Sequence, residues 1–499
     1  MLPAKLPTKL LPPWFYCTVG AIWLFSLAIR FWGLGRFNTL VFDEVYFVKF
    51  AHNYLTQTPF FDAHPPLSKY LIAVGMWIGN QLPLGQNAVN SLAGAPYSTW
   101  SYRWLNALTG SLVPLVAMGL AYQLTRRLSY VLISGWFMAL DGLFLVESRY
   151  GLNNVYLVLF GLLGEWFFLL ALGRETPEKR RFWLAMAGVA FAASASVKWN
   201  GLWFLLGIYG LLTVGWLLRW ADGQGVGRPF QARSSAGSPL QRLTQLPLWE
   251  VGLGLGILPA IVYGLVWIPH LKLNAKAGFW SDFWELQRQM LTYHQQVGSG
   301  PNVHPYCSSW PSWLWMVRPV AYFYQNTNPG DPLPTGQSTL QLGPNQLIYD
   351  VHAMGNPMLW WLGTIAMGLV LISLIGVLFR WLRPTVQVSF LSRAPQFSVA
   401  DRWLLGFLAI NYLANLLPWT RVTRCTFLYH YMGASVFATM AIAWVVDRWL
   451  RSPQINLRRM GIAIMAAIGL GFLFWLPIYW GLPLSISAFR ARIWFANWI

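Results

Sequence analysis

Long apolar runs alternate with short polar segments along most of this chain. A transmembrane helix needs about 20 mostly apolar residues, and roughly eleven runs approach that length. They lie at about 14–33, 101–124, 130–148, 151–172, 183–198, 201–218, 248–269, 357–379, 403–419, 430–447 and 460–480. The pattern therefore predicts an all-α polytopic membrane protein with about eleven transmembrane helices.

The composition agrees with a membrane protein and does not favour a nucleic-acid partner. Of the 499 residues, 56% are hydrophobic and only 10% are charged, whereas soluble domains carry about 25% charged residues. The 31 Trp residues fit aromatic belts at the two membrane interfaces. The net charge of +19 does not indicate nucleic-acid binding, because most basic residues fall in short segments between apolar runs, as the positive-inside rule predicts.

The distribution of basic residues also predicts the orientation. It places the N-terminus in the cytoplasm and the C-terminus outside, with two long extracytoplasmic segments at about 34–100 and 270–356. Loops of this length are usually functional or folded. We expect an N-terminal membrane module at 1–269, a second outer loop at 270–356 and a C-terminal membrane module at 357–499.

The cysteines predict no structural cross-link. Cys17, Cys307 and Cys425 form neither a Cys-x-x-Cys pair nor a Cys/His ligand spacing. We therefore expect neither a zinc site nor a disulfide framework.

An acidic pair in the first outer segment is the first candidate for chemistry. Asp43 and Glu44 lie between Phe42 and Val45, shortly after the first apolar run. Adjacent residues do not share a helix face, so one carboxylate can enter a site while the other orients it or pairs with a cation. A carboxylate beside an apolar wall can act as a general base toward a hydroxyl, although a solvated helix start is the alternative.

A proline-fixed turn follows about twenty residues later. His64-Pro65-Pro66-Leu67-Ser68-Lys69 predicts an extended backbone at the prolines and a helix from Leu67. Lys69 then lies in the first helical turn, where the helix N-terminus already favours anions. A phosphate contact is one interpretation, and an interfacial helix with a snorkelling lysine is the other.

Several cations lie close to the outer ends of predicted spans. Arg103, Arg149 and Lys198 share this position, where a charge is costly and indicates function by default; snorkelling to the lipid headgroups is the alternative for each. Cations gathered on one face suit a lipid phosphate. Near the C-terminal module, His430 at a span start is either a helix cap or a substrate contact.

Eight segments together resemble one family, the dolichyl-phosphate-mannose protein O-mannosyltransferases, whose members have the GT-C glycosyltransferase fold. They occur in family order between about residues 42 and 434: FDEVYFVKFA, FFDAHPPLSKYLI, YRWLNALTG, ESRYGLNNVYLVLF, SVKWNGLW, WPSWLWMVRPVAYFY, GNPMLWW and TRCTFLYHYMGA. The resemblance implies a membrane glycosyltransferase that transfers mannose from a polyprenyl-phosphate carrier to Ser or Thr hydroxyls on the non-cytoplasmic face.

The resemblance also implies roles for individual residues. Asp43 matches the family's catalytic base and Glu44 its acidic neighbour, while His64 and Lys69 match its HPPLxK motif. Four cations match basic positions that would hold the donor phosphate: Arg103, Arg149, Lys198 and Arg424. Asn154 stands where the family usually has Asp. The second outer loop is too short for the β-trefoil domain of eukaryotic members, which implies a bacterial-type enzyme of the plasma membrane.

These features predict an inverting transfer in which Asp43 takes the proton of a Ser or Thr hydroxyl of an exported protein. The leaving lipid phosphate is already anionic and needs cations rather than a general acid. We expect no cofactor and no protein metal site, with a metal bridging Asp43 and the phosphate left open. Two alternatives remain: a GT-C transferase acting on a lipid or glycan, as in aminoarabinose transfer, and a transporter with buried charges.

Overall fold

A computed structural model describes residues 11–86, 89–92, 94–224, 239–300, 302–334, 340–341, 343–382 and 397–499. Most of them are helical, and a helix occupies each of the predicted apolar runs. The membrane helices of the first half are α1 (Pro13–Phe31), α4 (Trp104–Thr125), α5 (Leu128–Ala139), α6 (Gly142–Arg149), α7 (Asn154–Leu172), α8 (Pro177–Ala195) and α9 (Leu202–Gly223).

The remaining helices of the membrane region follow in the same manner. They are α10 (Pro239–Thr244), α11 (Leu248–Val251), a π-helical turn (Gly252–Ile257), α12 (Leu258–Val266), α13 (Ile268–Leu273), α16 (Pro357–Leu382), α17 (Val399–Leu416), α18 (Met432–Leu450) and α19 (Ile455–Trp480). Helix α18 is buried along nearly its whole length, at the centre of the bundle, whereas the Leu248–Leu273 segment exposes most of its surface.

By length and composition, eight helices in the described part of the chain can cross a membrane. A ninth is counted if α5 and α6, which are bent by 56° relative to each other, form one span. Helices α8 and α17 coincide with two further predicted spans but do not pass the same test, since both begin with charged residues. The multi-pass membrane architecture is confirmed, and the number eleven stays a prediction.

The bend between α5 and α6 has a local cause. Asp141 interrupts the helix and caps α6, where its carboxylate accepts a hydrogen bond from the backbone N–H of Phe144 at 2.9 Å. An N-terminal cap satisfies a backbone donor that the new helix leaves open. The outer half of the span, α6, is thereby re-aimed.

The first outer segment is folded rather than an open loop. It contains α2 (Glu44–Leu55), α3 (Leu67–Gly79) and a hairpin of β1 (Val89–Leu92) with β2 (Ala95–Ser98). Helix α3 is apolar but only 13 residues long. It begins at Leu67, as the double proline predicts.

The second outer segment contains α14 (Phe279–Gln296), the short helix α15 (Trp310–Trp313) and the antiparallel strands β3 (Val320–Thr327) and β4 (Leu347–Ala353). The edge of this sheet is β5 (Leu484–Ser485), which lies between α19 and a terminal helix, α20 (Ile486–Arg490). The last membrane helix is thus tied to the outer sheet. The four strands of the outer segments, and β5 after α19, are features that the hydrophobic pattern does not predict.

One prediction about the outer segments is wrong. Cys307 and Cys425 form a disulfide across 118 residues, with their Cα atoms 5.2 Å apart. Spacing along the chain gave no sign of it, because the two cysteines meet only when the second outer segment folds over the start of the α18 span. Such bonds persist in oxidising compartments, which agrees with an extracytoplasmic position for both residues.

Candidate active site

Asp43 lies at the start of α2, on a turn whose strained backbone is stabilised by packing contacts. Phe42 has a φ of 51°, a left-handed conformation that is costly for a bulky residue. Its ring stacks on Tyr322 of β3 with centroids 4.2 Å apart and planes within 8°. The second outer segment therefore helps to hold the backbone that presents Asp43.

The carboxylate of Asp43 is open. It is partly exposed, and no hydrogen bond or ion pair reaches it from the residues that the structure describes. Desolvation of the carboxyl group by the surrounding protein raises the pKa of Asp43 to about 6. The positive charge of Lys198 acts to lower this pKa, and the negative charge of Asp62 acts to raise it. A carboxylate in this state can accept a proton near neutral pH.

Glu44 has the opposite surroundings. It is fully buried and forms a bidentate pair with Arg103 through bonds of 2.9 Å and 2.7 Å. Its two oxygens also accept the backbone N–H groups of Val41 and Gly151, each at 2.8 Å. Glu44 therefore closes the turn that carries Asp43, the orienting and cation-pairing role considered for one member of the pair, and does not itself face the site.

Arg103 uses every donor that a guanidinium has. Besides Glu44, it donates to the carbonyl oxygens of Leu34, Phe37 and Thr39 at 3.2, 3.1 and 2.8 Å. A guanidinium has five N–H groups, and none is left for a phosphate. The prediction that Arg103 binds the donor phosphate is therefore corrected: this residue fixes the segment between α1 and α2.

The prediction that Arg149 binds the donor phosphate is also corrected, because its side chain faces the end of α1. Its side chain donates to the carbonyl oxygens at the C-terminal end of α1, those of Ile29, Arg30, Trp32 and Gly33, at 2.6–3.3 Å. A cation at this end of a helix satisfies open carbonyls and complements the helix dipole. Arg149 holds α6 against α1 instead of facing the site.

Lys69 is also committed to the protein. Its ammonium lies 2.5 Å from a carboxylate oxygen of Asp62 and donates to the carbonyls of His64 and Pro65 at 3.0 and 2.5 Å. All three of its N–H groups have partners, so it stabilises the proline turn. The interpretations of Lys69 as a phosphate contact and as a snorkelling side chain are both wrong.

Lys198 retains free donors. It is 6% exposed and gives one hydrogen bond, to Oδ1 of Asn154 at 2.9 Å. Its ammonium also lies 5.5 Å from the ring centre of Tyr429. Two of its three N–H groups thus have no partner among the described residues, and its charge acts on that of Asp43.

Arg424 is the second cation with free donors. Its only described hydrogen bond is to the carbonyl of Cys425, at 2.9 Å. The second outer segment fixes its position, because Cys425 is in the disulfide and donates its backbone N–H to Gly298 at 2.7 Å. Burial lowers the pKa of Arg424, yet a guanidinium stays charged at any physiological pH.

His64 lies beside these two cations. Burial, and then the charge of Lys198, lower the pKa of His64 well below its ordinary value, with His294, Lys69 and Arg424 adding to the effect. Its ring is 5.2 Å from that of His294. Both imidazoles therefore stay neutral at pH 7, since burial also lowers the pKa of His294 to about 4.

His430 is placed as a cap. Its Nδ1 accepts the backbone N–H of Phe427 at 3.0 Å, and its ring packs against Trp419 and Trp313 at centroid distances of 4.6 and 6.0 Å. Of the two interpretations, the structure supports the local one, a residue that shapes the turn after Arg424.

The hydrophobic pattern did not single out four residues that the structure brings to the site. Asp62 neutralises Lys69, and His294 of α14 borders His64. Glu147 and Tyr322 share a hydrogen bond beneath Asn154. Glu147 carried a signal, as a carboxylate inside an apolar run; Tyr322 carried none, because its partner is 175 residues away.

Among the residues that the structure describes, no group of three or more His, Cys, Asp or Glu side chains is placed to hold a metal ion. The site instead combines one open carboxylate with two cations that have free donors. Such a site can take a proton from a hydroxyl while it holds an anionic leaving group.

Fold and site together define a polytopic membrane glycosyltransferase of the GT-C class. Two family models then match consecutive parts of the chain: "Dolichyl-phosphate-mannose-protein mannosyltransferase" over residues 20–275 and "C-terminal four TMM region of protein-O-mannosyltransferase" over residues 279–498. The chain belongs to the dolichyl-phosphate-mannose-protein mannosyltransferase family, and the resemblance found in the sequence is confirmed.

Curated relatives extend over nearly the whole chain. A polyprenol-phosphate-mannose--protein mannosyltransferase of Mycolicibacterium smegmatis is 21% identical, covering 94% of this chain and 90% of the relative. The protein with the same name in Corynebacterium glutamicum is 24% identical, covering 96% and 93%.

Solved structures confirm the fold. The protein O-mannosyltransferase complex of S. cerevisiae bound to the sugar donor matches with a TM-score of 0.77 and 16% identity, covering 98% of this chain and 93% of the matched chain. ArnT of Cupriavidus metallidurans bound to undecaprenyl phosphate matches with a TM-score of 0.50 and 16% identity, covering 92% of this chain and 63% of ArnT. At these identities the likeness speaks to the fold alone.

Proposed function

We propose that this chain transfers mannose from a polyprenyl-phosphate-mannose donor to Ser or Thr hydroxyls of exported proteins, with inversion at the anomeric carbon. The observation that carries the proposal is the open carboxylate of Asp43 within the electrostatic reach of Lys198, whose ammonium has free donors. The family and the names of the curated relatives supply the sugar and the carrier.

In this mechanism Asp43 takes the hydroxyl proton as the acceptor oxygen attacks the anomeric carbon. The bond from that carbon to the phosphate oxygen breaks on the opposite face, and the phosphate leaves with the electron pair. Lys198 and Arg424 stabilise the charge that grows on the leaving oxygen. One carboxylate suffices here because the phosphate leaves without being protonated, whereas retaining and inverting glycosidases both use two.

We also propose that the site faces outward from a bacterial plasma membrane, with the N-terminus in the cytoplasm. The basic residues of the short segments support this orientation. The disulfide that positions Arg424 supports it independently, because such bonds persist outside the reducing cytoplasm. A reporter fused after Ile499 should therefore be active only on the outer side.

The acceptor is the least constrained part of the proposal. A lipid or glycan acceptor draws less support, because the matching family model and the curated relatives are named as protein mannosyltransferases. No observation specifically favours a transporter. The free donors and the open base all converge on one outer site, as in an enzyme.

The deciding experiment uses purified full-length protein with radiolabelled polyprenyl-phosphate-mannose and a Ser/Thr-rich peptide. We expect labelled peptide, an anomeric configuration opposite to that of the donor, and activity that survives chelation of divalent cations. Donor consumption without peptide labelling would overturn the protein acceptor, and loss of activity on chelation would show that a metal bridges Asp43 and the phosphate.

A further inference from the structure

A series of three hydrogen bonds connects Lys198, just after α8, with Tyr322 of β3 in the second outer segment. Lys198 donates to Oδ1 of Asn154 at 2.9 Å, and Nδ2 of Asn154 donates to Oε2 of Glu147 at 3.1 Å. The hydroxyl of Tyr322 donates to the other carboxylate oxygen, Oε1. All four side chains are at least nine-tenths buried. We call this series of hydrogen bonds the Lys198–Tyr322 bridge.

The chemistry of the groups fixes the direction of each bond. An ammonium can only donate, so the atom of Asn154 that faces Lys198 must be its oxygen. The amide N–H₂ then faces Glu147, which accepts because it is a carboxylate. Each oxygen of Glu147 receives one donor, and the bridge has no conflict between donors or acceptors.

The far end of the bridge returns to Asp43. Tyr322 stacks on Phe42, which directly precedes Asp43 and has a left-handed backbone conformation. The base and the cation are thus joined by one continuous set of contacts, from the backbone at Asp43 through Phe42 and Tyr322 to Lys198. A shift of Glu147 would be felt at both ends.

We propose that Glu147, acting through Asn154 and Tyr322, is a positioning residue that holds Lys198 and Asp43 in register for transfer. This inference rests on the proposed function. Asn154 contributes a second property, because a neutral amide takes one N–H of Lys198 without neutralising its charge. The ammonium keeps two donors and its full charge for the phosphate of the donor lipid.

Replacing the amide of Asn154 with a carboxylate removes both the match between donors and acceptors in the bridge and the neutral partner of Lys198. In Asn154→Asp, two carboxylates face each other in a buried site, where like charges disfavour ionisation. The new carboxylate also pairs directly with Lys198 and competes with the donor phosphate. A matching change at the neighbour, Glu147→Gln, restores a complementary order, since the introduced glutamine can donate its amide N–H to the carboxylate at position 154.

The test is a double-mutant cycle on full-length protein with three variants: Asn154→Asp, Glu147→Gln and the double variant. It measures kcat, the KM for polyprenyl-phosphate-mannose and the Kd for undecaprenyl phosphate. We expect Asn154→Asp to lower kcat about 10- to 100-fold and to weaken lipid-phosphate binding, and the double variant to recover roughly tenfold. Glu285→Gln is the matched control, since Glu285 is exposed and paired with Arg288, and it should behave as wild type.

Tyr322→Phe tests the bridge from its other end and does not depend on the folding of the cycle variants. It keeps the stack on Phe42 but removes the hydroxyl. We expect kcat to fall about 3- to 10-fold with an unchanged KM for the acceptor peptide, and the melting temperature to fall, because Oε1 of Glu147 loses its donor. A Tyr322→Phe variant with wild-type kcat would overturn the proposal.

Two further outcomes would also contradict it: a double variant as impaired as the product of the single ones, or losses that follow only the melting temperature. The binding measurement separates this inference from the proposed function. If wild-type protein transfers no mannose but the cycle still governs the Kd for undecaprenyl phosphate, the proposed function fails and the bridge stands. If wild-type protein is active and the cycle is additive, the bridge fails alone.

Discussion

Asp43 and Glu44 are neighbours in the chain, yet their carboxylates have opposite surroundings. Glu44 is fully buried and accepts four hydrogen bonds, two of them from Arg103. Asp43 accepts none from the described residues and keeps a partly exposed surface. The two side chains leave the first turn of α2 in different directions, since consecutive residues do not share a helix face.

The same division separates the cations. Arg103, Arg149 and Lys69 give their hydrogen bonds to carboxylates or to backbone carbonyls. Those of Arg103 join the start of α4 to α2, those of Arg149 join α6 to the end of α1, and those of Lys69 stabilise the turn before α3. Lys198 and Arg424 each give one hydrogen bond to the described residues and keep their other donors free. The hydrogen-bond partners of each cation, rather than its charge alone, distinguish the cations assigned to the site from those that stabilise the fold.

The largest effect should follow from Asp43→Asn, which keeps the shape and removes the proton acceptor. Loss of a general base costs about 100- to 10,000-fold in rate, so we expect that loss in kcat. The measurement is the initial rate of mannose transfer to peptide.

Binding of the lipid donor serves as the control, because Asn at this position keeps the site in place. Its Kd should change little. Near-full activity of Asp43→Asn, with loss in Glu44→Gln at an unchanged melting temperature, would reverse the roles assigned to the two acids.

Glu44→Gln should act on the fold. It leaves the Arg103 guanidinium buried without its counter-charge, and breaking a buried ion pair in this manner costs about 3–5 kcal/mol. We expect a lower melting temperature and a lower yield of folded protein in detergent, with activity falling in proportion. A Glu44→Gln variant as stable as wild type would contradict the structural role assigned to Glu44.

The sequence predicts the membrane helices and the positions of polar residues near their ends better than it predicts the partners of those residues. Hydrophobic runs predict the membrane helices because burial in lipid demands about 20 apolar residues whatever the tertiary contacts. They also place Asp43, Lys198 and Arg424 near the outer ends of spans. The double proline predicts the start of α3 at Leu67, since its backbone effect is local.

What the sequence could not predict depends on partners far along the chain. The donors of Arg103 are used by residues 59 to 69 positions away, and Cys307 meets Cys425 across 118 residues. A cation looks the same in the sequence whether it faces a ligand or a carbonyl, so Arg103 and Arg149 were assigned to the donor phosphate and a phosphate contact was one interpretation of Lys69. The strands were missed because they are short, and because β4 pairs with β3 and with the distant β5 across intervening segments.

Lys198→Met and Lys69→Met form a matched pair that sharpens the comparison among the cations. Methionine keeps much of the aliphatic stem and removes the charge. We expect Lys198→Met to weaken donor binding and lower kcat together, each about tenfold, because the phosphate contact strengthens in the transition state. Affinity for the acceptor peptide should hardly move.

Lys69→Met should instead leave Asp62 buried without a partner and lower the melting temperature. Titration of donor and peptide against both variants, beside thermal unfolding, separates the two effects. An unchanged donor curve with a shifted peptide curve in Lys198→Met would place Lys198 in the acceptor groove.

The smallest effect is a pH dependence that distinguishes Asp43 from an ordinary surface carboxylate. Burial raises its pKa to about 6, and a general base works only in its deprotonated form. Activity should therefore be lost as the pH falls through 6, with about half of kcat/KM left at pH 6 and roughly a tenth at pH 5. His294 has a pKa of about 4 and that of His64 is lower than usual, so neither imidazole should contribute at pH 6. The donor is a phosphodiester and stays ionised throughout. A fall in kcat/KM centred near pH 4 would show that Asp43 is as well solvated as a surface carboxylate, and its difference from an exposed acid would then lie in geometry alone.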